Sequence, residues 1–242
     1  MTPILRIEDL TVSYHRIPAV HHLSVHLPGG SLVGLLGPNG AGKTSLLKAI
    51  AGLLPLETGH VKISVPGGRS AVAYVPQREA VDWDFPLTVR ALVEMGRYGA
   101  LGPWRAFGAN DAEIVEEAMT ITALAPLAQR QINALSGGQQ QRAFLARALA
   151  QQATVYLLDE PFTGLDANGR KAFSNALRHL RALGKLVIAS HHDLNSVPEL
   201  FDQVILLNGE LVAAGPVADA FTPETISRAY STTIFSGTPT HP

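Results

Sequence analysis

Two hydrophobic periods divide this chain. Val155–Leu158 and Leu186–Ala189 are apolar throughout, the pattern of strands buried on both faces of a parallel sheet. Ser31–Leu36 is a third apolar run of strand length, and Leu46, Leu47, Ile50, Leu53 and Leu54 follow it at helical spacing. Ala172, Phe173, Ala176, Leu177 and Leu180 mark a second amphipathic helix, ended by Gly184. Ile4–Tyr14 predicts a strand, and the partial alternation of His21–Leu27 predicts its hairpin mate. Val61–Val65 and Ala71–Val75 read as strands around Pro66-Gly67-Gly68. From Pro76 to about Ala153 the period is helical: Ile114, Val115, Ala118 and Met119 share one face, as do Phe144, Leu145, Ala148 and Leu149. That stretch predicts an inserted helical subdomain. Asn208-Gly209 separates Val204–Leu207 from Glu210–Ala213, a hairpin signal, and Thr222-Pro223 reads as an N-cap with proline at the first helical position. Ser236–Pro242 has little apolar content and is expected to be loose.

Four of these strands run into polar or glycine-bearing elements: Gly37–Thr44, Pro76-Gln77, Asp159-Glu160 and Ser190-His191-His192. Ligands of open α/β sheets bind outside the carboxyl ends of the strands, so the four should converge on one site. The first, Gly-Pro-Asn-Gly-Ala-Gly-Lys-Thr, has the phosphate-loop spacing between a strand and a helix. Glycines let successive N–H groups converge on polyphosphate, and the helix adds its positive end. Lys43 is expected to reach the β- and γ-phosphates, and the Thr44 hydroxyl to ligate Mg²⁺.

Beside such a loop, Asp159 is suited to hold Mg²⁺, and Glu160 to polarise an attacking water. Gln77 either touches metal or water or is an ordinary loop glutamine. The vicinal His191 and His192 point to opposite sides of an extended chain, so at most one faces the nucleotide. Ser136-x-x-Gln139 fits a capping box, while Gly137 and Gly138 also suit a second anion-binding helix start; spacing alone leaves both open.

Together these residues resemble the nucleotide-binding subunit of an ATP-binding cassette (ABC) transporter. Leu135–Gln139, continued by Gln140-Gln141-Arg142, is similar to that family's signature motif, and Val155–Pro161 to its Walker B strand. Gly164-Leu165-Asp166 is similar to the D-loop, Gln77 to the Q-loop, and His192 to the switch histidine. Tyr14 falls where the family stacks an aromatic ring on adenine. The resemblance implies an α/β P-loop NTPase (RecA-like) core with an N-terminal antiparallel β subdomain and a helical insert: residues 1–77 and 154–242 as core, 78–153 as insert. It implies ATP and Mg²⁺ as cofactors. ATP would be held by Tyr14, Gly37, Pro38, Asn39, Gly40, Ala41, Gly42, Lys43, Thr44, Ser45 and Asp166, and across a head-to-tail homodimer by Ser136, Gly137, Gly138 and Gln139. Glu160, His192, Lys43 and Gln77 would serve catalysis; Thr44, Gln77 and Asp159 would serve the metal. Closure on ATP would drive transmembrane permease subunits.

A narrower resemblance, to the manganese, zinc and iron importer branch, rests on Val75-Pro76-Gln77-Arg78, Val81-Asp82-Trp83-Asp84-Phe85-Pro86, Met95-Gly96-Arg97-Tyr98 and His191-His192-Asp193-Leu194. These residues bear either on the substrate or only on how the subunit docks to its permease. The branch implies an extracytoplasmic metal-binding protein as a further partner. His15, His21, His22 and His26 invite a metal-site reading, but the family passes its substrate through the permease.

Composition narrows the alternatives. The 242 residues carry 19 Lys plus Arg against 20 Asp plus Glu, a net charge of −1 with no basic run, so nucleic acid is not an expected partner. That disfavours a cassette ATPase acting on ribosomes or DNA, as does the lack of a second cassette. There is no cysteine. With Arg6, Glu8 and Asp9 near the start no signal peptide is expected there, and no apolar stretch reaches the roughly 18 residues of a membrane span. The expected place is therefore the cytoplasmic face of the membrane, peripherally docked. Uptake of another substrate, such as an iron chelate, remains the alternative reading.

Overall fold

The computed structural model describes residues 3–14, 17–102 and 104–231, without the side chains of Tyr14, Ile17, Pro18 and Arg69. The expectations for Tyr14 as an adenine platform, for His15 and for Ser236–Pro242 lie outside the described residues and side chains. In chain order the strands are β1 (Pro3–Tyr14), β2 (Ile17–Pro28), β3 (Ser31–Leu36), β4 (Thr58–Ile63), β5 (Val72–Val75), β6 (Val155–Leu158), β7 (Leu186–Ser190), β8 (Gln203–Asn208) and β9 (Glu210–Pro216). The helices are α1 (Lys43–Ile50), α2 (Val89–Glu94), α3 (Tyr98–Leu101), α4 (Ala109–Ile121), α5 (Gly137–Ala150), α6 (Ala167–Ala182), α7 (Val197–Leu200), α8 (Val217–Ala220) and α9 (Pro223–Tyr230).

The strands form one sheet in the order β4-β1-β2-β9-β8-β3-β7-β6-β5. Strand β3 pairs in parallel with β7 and β8, and β6 in parallel with β7 and β5. At the other side β1 pairs antiparallel with β2 and β4. The halves meet where β2 and β9 pair in parallel at His21 and Glu210. Strands β3, β6 and β7 are buried at every position, because both faces are covered. Alternation assigns each side chain to a layer. Leu32, Leu36, Tyr156, Leu158, Val187 and Ala189 pack with Phe144 and Leu145 of α5 and Phe173 and Leu177 of α6. Val33, Leu35, Val155, Leu157, Leu186 and Ile188 face the opposite layer, built from Leu46, Leu47 and Ile50 of α1 and the apolar side of the β1–β2 hairpin.

Two strand expectations shift. Strand β4 begins at Thr58, three residues before the apolar run, because its exposed edge position needs no apolar side chains there. It ends at Ile63 and pairs with β1, while β5, which starts at Val72, lies at the far edge beside β6. Gly68–Ala71 between them is a 3-10 turn. The hairpin at Asn208-Gly209 is tight: Asn208 pairs with Glu210 around Gly209 (φ +73), and a register shift between Leu206 and Leu207 accommodates it. Helix α6 stops as expected, with Gly184 at φ +76 and the Lys185 N–H donating to the Leu180 carbonyl.

The segment between β5 and β6 carries α2 to α5. Arg97, in the stretch Met95-Gly96-Arg97-Tyr98, is 4% exposed. Its guanidinium pairs with buried Asp111 of α4 (3.0 Å) and donates to the Ala150 carbonyl at the end of α5 (2.8 Å). A Cβ on Gly96 would sit 2.2 Å from the Arg147 carbonyl oxygen. These two positions bind the insert together, whereas Met95 and Tyr98 are exposed.

Candidate functional site

Strands β3, β5, β6 and β7 are adjacent and parallel, so their carboxyl ends lie on one edge of the sheet. A cavity of about 330 Å³ opens there. It is lined by Ala19, by every residue from Asn39 to Ser45, and by Gln77 and Glu160. Gly42 sits at φ +93, and a Cβ would come within 2.3 Å of the Ala19 carbonyl oxygen. Only glycine lets the β1–β2 hairpin close over the loop at this point. Helix α1 starts at Lys43 with no side-chain cap and no acidic residue in its first turn. Its first N–H groups and positive dipole end therefore face the cavity, an arrangement that suits an anion.

Lys43 is 9% exposed. Its Nζ donates to the Gly37 carbonyl (2.7 Å) and the Pro38 carbonyl (2.8 Å). Burial pulls Lys43 below the ordinary lysine value, opposed by the charges of Glu160 and Asp159.

Asp159, at the end of β6, is 1% exposed. Its Oδ1 accepts from the Ser190 hydroxyl at 2.9 Å, while its Oδ2 is buried with no hydrogen-bond partner among the described residues. An unpaired buried carboxylate oxygen is costly without a cation. Tyr74 on β5 stays protonated, pushed up by its burial and then by the charge of Asp159. Glu160 adopts φ +48, a backbone region that non-glycine residues rarely occupy. Its N–H donates to the same Ser190 Oγ (2.7 Å), and its Oε2 accepts from Thr163 Oγ1 (3.3 Å). Ser190, fully buried at the end of β7, thus fixes both acidic residues. Its role was not readable from spacing, because it depends on the β6–β7 register, where Leu158 pairs with Ala189.

His191 and His192 lie just past the end of β7 and do not point to opposite sides: their rings are 5.8 Å apart and both line one cavity, because the extended strand has ended at Ser190. His191 is 3% exposed, and its ring meets Phe162 and Phe201 edge-on at centroid distances of 5.3 and 5.5 Å. Its Nε2 bonds the Ser196 hydroxyl at 2.7 Å. Burial first, then the neighbouring His192, lowers His191 to about 4. His192 is exposed. It does not line the cavity of the nucleotide loop; with Thr163, Gly164, Arg170 and Asp193 it lines a second one of about 320 Å³. The Glu160–Thr163 hydrogen bond lies between the two cavities.

The segment Ser136–Gln139 is not in the loop's cavity either. Ser136 caps α5: its Oγ accepts from the Gln139 N–H (3.4 Å) and the Gln139 Oε1 accepts from the Ser136 N–H (2.9 Å). Ser136 is exposed, and Gly138 packs on Leu165 and Gly164, with its Cβ position 3.2 Å from Leu165 Cδ2. Asp166 caps α6, its Oδ1 accepting from the Gly169 N–H at 2.7 Å. Behind Gln77, Arg78 donates from Nε to the Gln140 Oε1 (2.8 Å), and Trp83 donates to the Arg78 carbonyl (2.9 Å) while packing edge-on against Phe144. The Gln77 segment is thereby fastened to α5. His22 meets Asp9 (2.7 Å), and His60 meets Glu8 (3.0 Å), on the outer face of the three-stranded antiparallel part.

A family model described as ABC transporter matches residues 20–163. The chain belongs to that family. A manganese transport system ATP-binding protein of Halalkalibacterium halodurans, MntB, is 45% identical to this ABC protein, covering 95% of this chain and 93% of the relative. The zinc transport system ATP-binding protein TroB of Treponema pallidum is 47% identical, covering 96% and 88%. Among solved structures, a transporter described as of metal-chelate type, in an inward-facing conformation, is similar with a TM-score of 0.83 and 27% identity, covering 95% of this chain and 89% of the other. An ATP-binding cassette of an ABC transporter in its ADP conformation shares the fold at a TM-score of 0.78 and 21% identity, covering 94% and 98%. The P-loop NTPase fold expected from the sequence is the fold observed.

A pH dependence follows from His191. The unfolded chain takes up a proton on this residue near pH 6.5, whereas the folded chain refuses it until about pH 4. The stability contributed by neutral His191 is complete above pH 6.5 and is lost as pH falls from 6.5 towards 4. Urea unfolding measured across that window is expected to show a decline that is flatter in His191→Phe; an identical slope in both proteins would contradict the assignment.

Proposed function

We propose that this chain is the ATP-hydrolysing subunit of an importer that takes up a divalent metal ion through a separate permease. Membership of the ABC family carries ATP binding, ATP hydrolysis coupled to transport, and membrane permease partners. The observation behind the substrate class is the likeness, at 42–47% identity over nearly the whole chain, to manganese and zinc transport ATP-binding proteins. Iron is the third candidate metal. No helix among the described residues is long and apolar enough to cross a membrane. Peripheral docking at the cytoplasmic face of the inner membrane, delivery by an extracytoplasmic metal-binding protein and no nucleic-acid partner complete this reading. Uptake of a metal chelate is the second reading, favoured by the likeness to the metal-chelate type transporter.

In this proposal residues 78–153 form the insert and Gly37–Ser45 cradle the phosphates. Lys43 leaves at least one of the Gly37 and Pro38 carbonyls for the β- and γ-phosphates. Mg²⁺ fits the residues present: the unpartnered Oδ2 of Asp159, next to Glu160 in the chain, and the Thr44 hydroxyl would supply oxygen donors, and Gln77 lines the same cavity as Thr44. When bound, Mg²⁺ supplies charge that screens the phosphate oxygens. Glu160, held at its N–H by Ser190 and at its carboxylate by Thr163, accepts the proton of the attacking water. His192 lies across the Glu160–Thr163 pair and contacts the γ-phosphate when two copies close. Ser136 is exposed, Gly137–Gln139 are half-buried, and the segment lies outside the loop's own cavity, which supports its serving the loop of a second, head-to-tail copy. Asp166, a cap within its own chain, lies at that interface, and Tyr14 stacks on adenine.

Glu160→Gln keeps the shape and removes the proton acceptor. It is expected to lower ATP turnover by at least about 100-fold, the worth of a general base, while still binding ATP; phosphate release and nucleotide retention measure the two. Wild-type turnover would contradict the role. Cells lacking the chain are expected to lose manganese, zinc or iron content relative to complemented cells, measured by elemental analysis. Unchanged content of all three would exclude the metal reading.

A further inference from the structure

Helix α9 lies outside the region matched by the family model, yet one of its side chains reaches the nucleotide loop. The Gly37 N–H donates to the Tyr230 hydroxyl at 3.2 Å. The Gly37 carbonyl accepts from Lys43 Nζ at 2.7 Å. The Gly37 residue is therefore gripped at both ends by side chains. It is also tightly enclosed: at φ +152, a Cβ would fall 2.0 Å from the Leu207 carbonyl oxygen. One residue past the β8 hairpin strand, the Gly209 N–H donates to the Ala41 carbonyl at 3.1 Å. The base of the loop is thus seated on β8 and α9 together.

Nucleotide disturbs the hold of Lys43 on the loop. An ammonium has three N–H donors, and two of those on Lys43 are on the Gly37 and Pro38 carbonyls, so reaching both the β- and γ-phosphates takes at least one donor away from a loop carbonyl. The Tyr230 hydroxyl keeps its hold on the Gly37 N–H whichever carbonyl is given up. We propose that Tyr230 is a positioning residue for nucleotide binding, its hydroxyl keeping the Gly37 peptide oriented while Lys43 shifts a donor from the loop's own carbonyls to the phosphates. This rests on reading Gly37–Thr44 as the nucleotide loop. The hydroxyl can be removed without undoing the helix. Ala229 is fully buried, Thr222 caps the start of α9 through the Thr225 N–H (3.2 Å), and Asn208 Nδ2 donates to the Ser231 carbonyl (3.4 Å).

The test compares the full wild-type chain with Tyr230→Phe, by thermal unfolding with and without Mg-ATP and by steady-state ATP hydrolysis. The expected result is an unchanged Tm without nucleotide, a smaller rise in Tm on adding Mg-ATP, and a KM for ATP raised about 2- to 10-fold, the worth of one such hydrogen bond, with kcat unchanged. Equal KM and equal nucleotide-induced rises would overturn the proposal. So would a lower Tm without nucleotide at unchanged KM, which marks a bond that serves the fold alone. No nucleotide-induced rise in the wild type would instead remove the nucleotide-loop reading itself.

Discussion

The parallel pairing of β3, β7, β6 and β5 is the constraint from which the site follows. Each of these strands is covered on both faces, and alternation commits every side chain to one layer. A slip of one residue in β6 or β7 would send Tyr156 and Val187 to the wrong layer, so the register is strongly held. The same register brings the end of β6 beside the end of β7. Ser190 can then accept from the Glu160 N–H and donate to Asp159 with one hydroxyl. Core packing and the placement of two carboxylates are a single geometrical fact.

That placement concentrates charge where the sheet excludes water. A buried lysine lies at the start of a helix whose dipole is also positive, and it faces the carboxylates of Asp159 and Glu160. The loop's own carbonyls hold Lys43, and one oxygen of Asp159 is unpartnered among the described residues. Both are arrangements that polyphosphate with its divalent cation would complete, since each brings the charge that the other side lacks. The strained backbone at Glu160 belongs to the same economy: the surrounding hydrogen bonds from Thr163 and to Ser190 hold it. The insert is tied in through Arg78, whose neighbour Gln77 lines the cavity while its own guanidinium bonds α5.

Much of this was legible in the sequence, for physical reasons that also mark where legibility stops. Strands buried on both faces announce themselves as apolar runs, and a phosphate loop needs consecutive residues, so β3, β6, β7 and Gly37–Thr44 could be read directly. The alternation expected of His191 and His192 fails because β7 ends at Ser190, which leaves the two rings 5.8 Å apart. Strand β4 starts in Thr58-Gly59-His60, where an exposed edge leaves no hydrophobic trace. Arg97 reads as a surface charge until Asp111 and the Ala150 carbonyl are brought to it by packing. Ser190 acts through a partner 31 positions away, and Tyr230 through one 193 positions away. The capping box that the spacing of Ser136 and Gln139 allows is present; the proposed service to a second copy could not be read from one chain's contacts.

The central claim is that each chain carries half of two nucleotide sites. Mixed dimers test it most directly, with Lys43→Ala and Ser136→Ala placed either on one chain or split between the two. In the head-to-tail arrangement the split dimer keeps one intact site, formed by a wild-type loop and a wild-type Ser136 segment, whereas the dimer with both changes on one chain keeps none. Measured ATP hydrolysis should therefore survive in the split dimer and vanish in the other. Equal activity in the two, or the reverse order, would contradict the account.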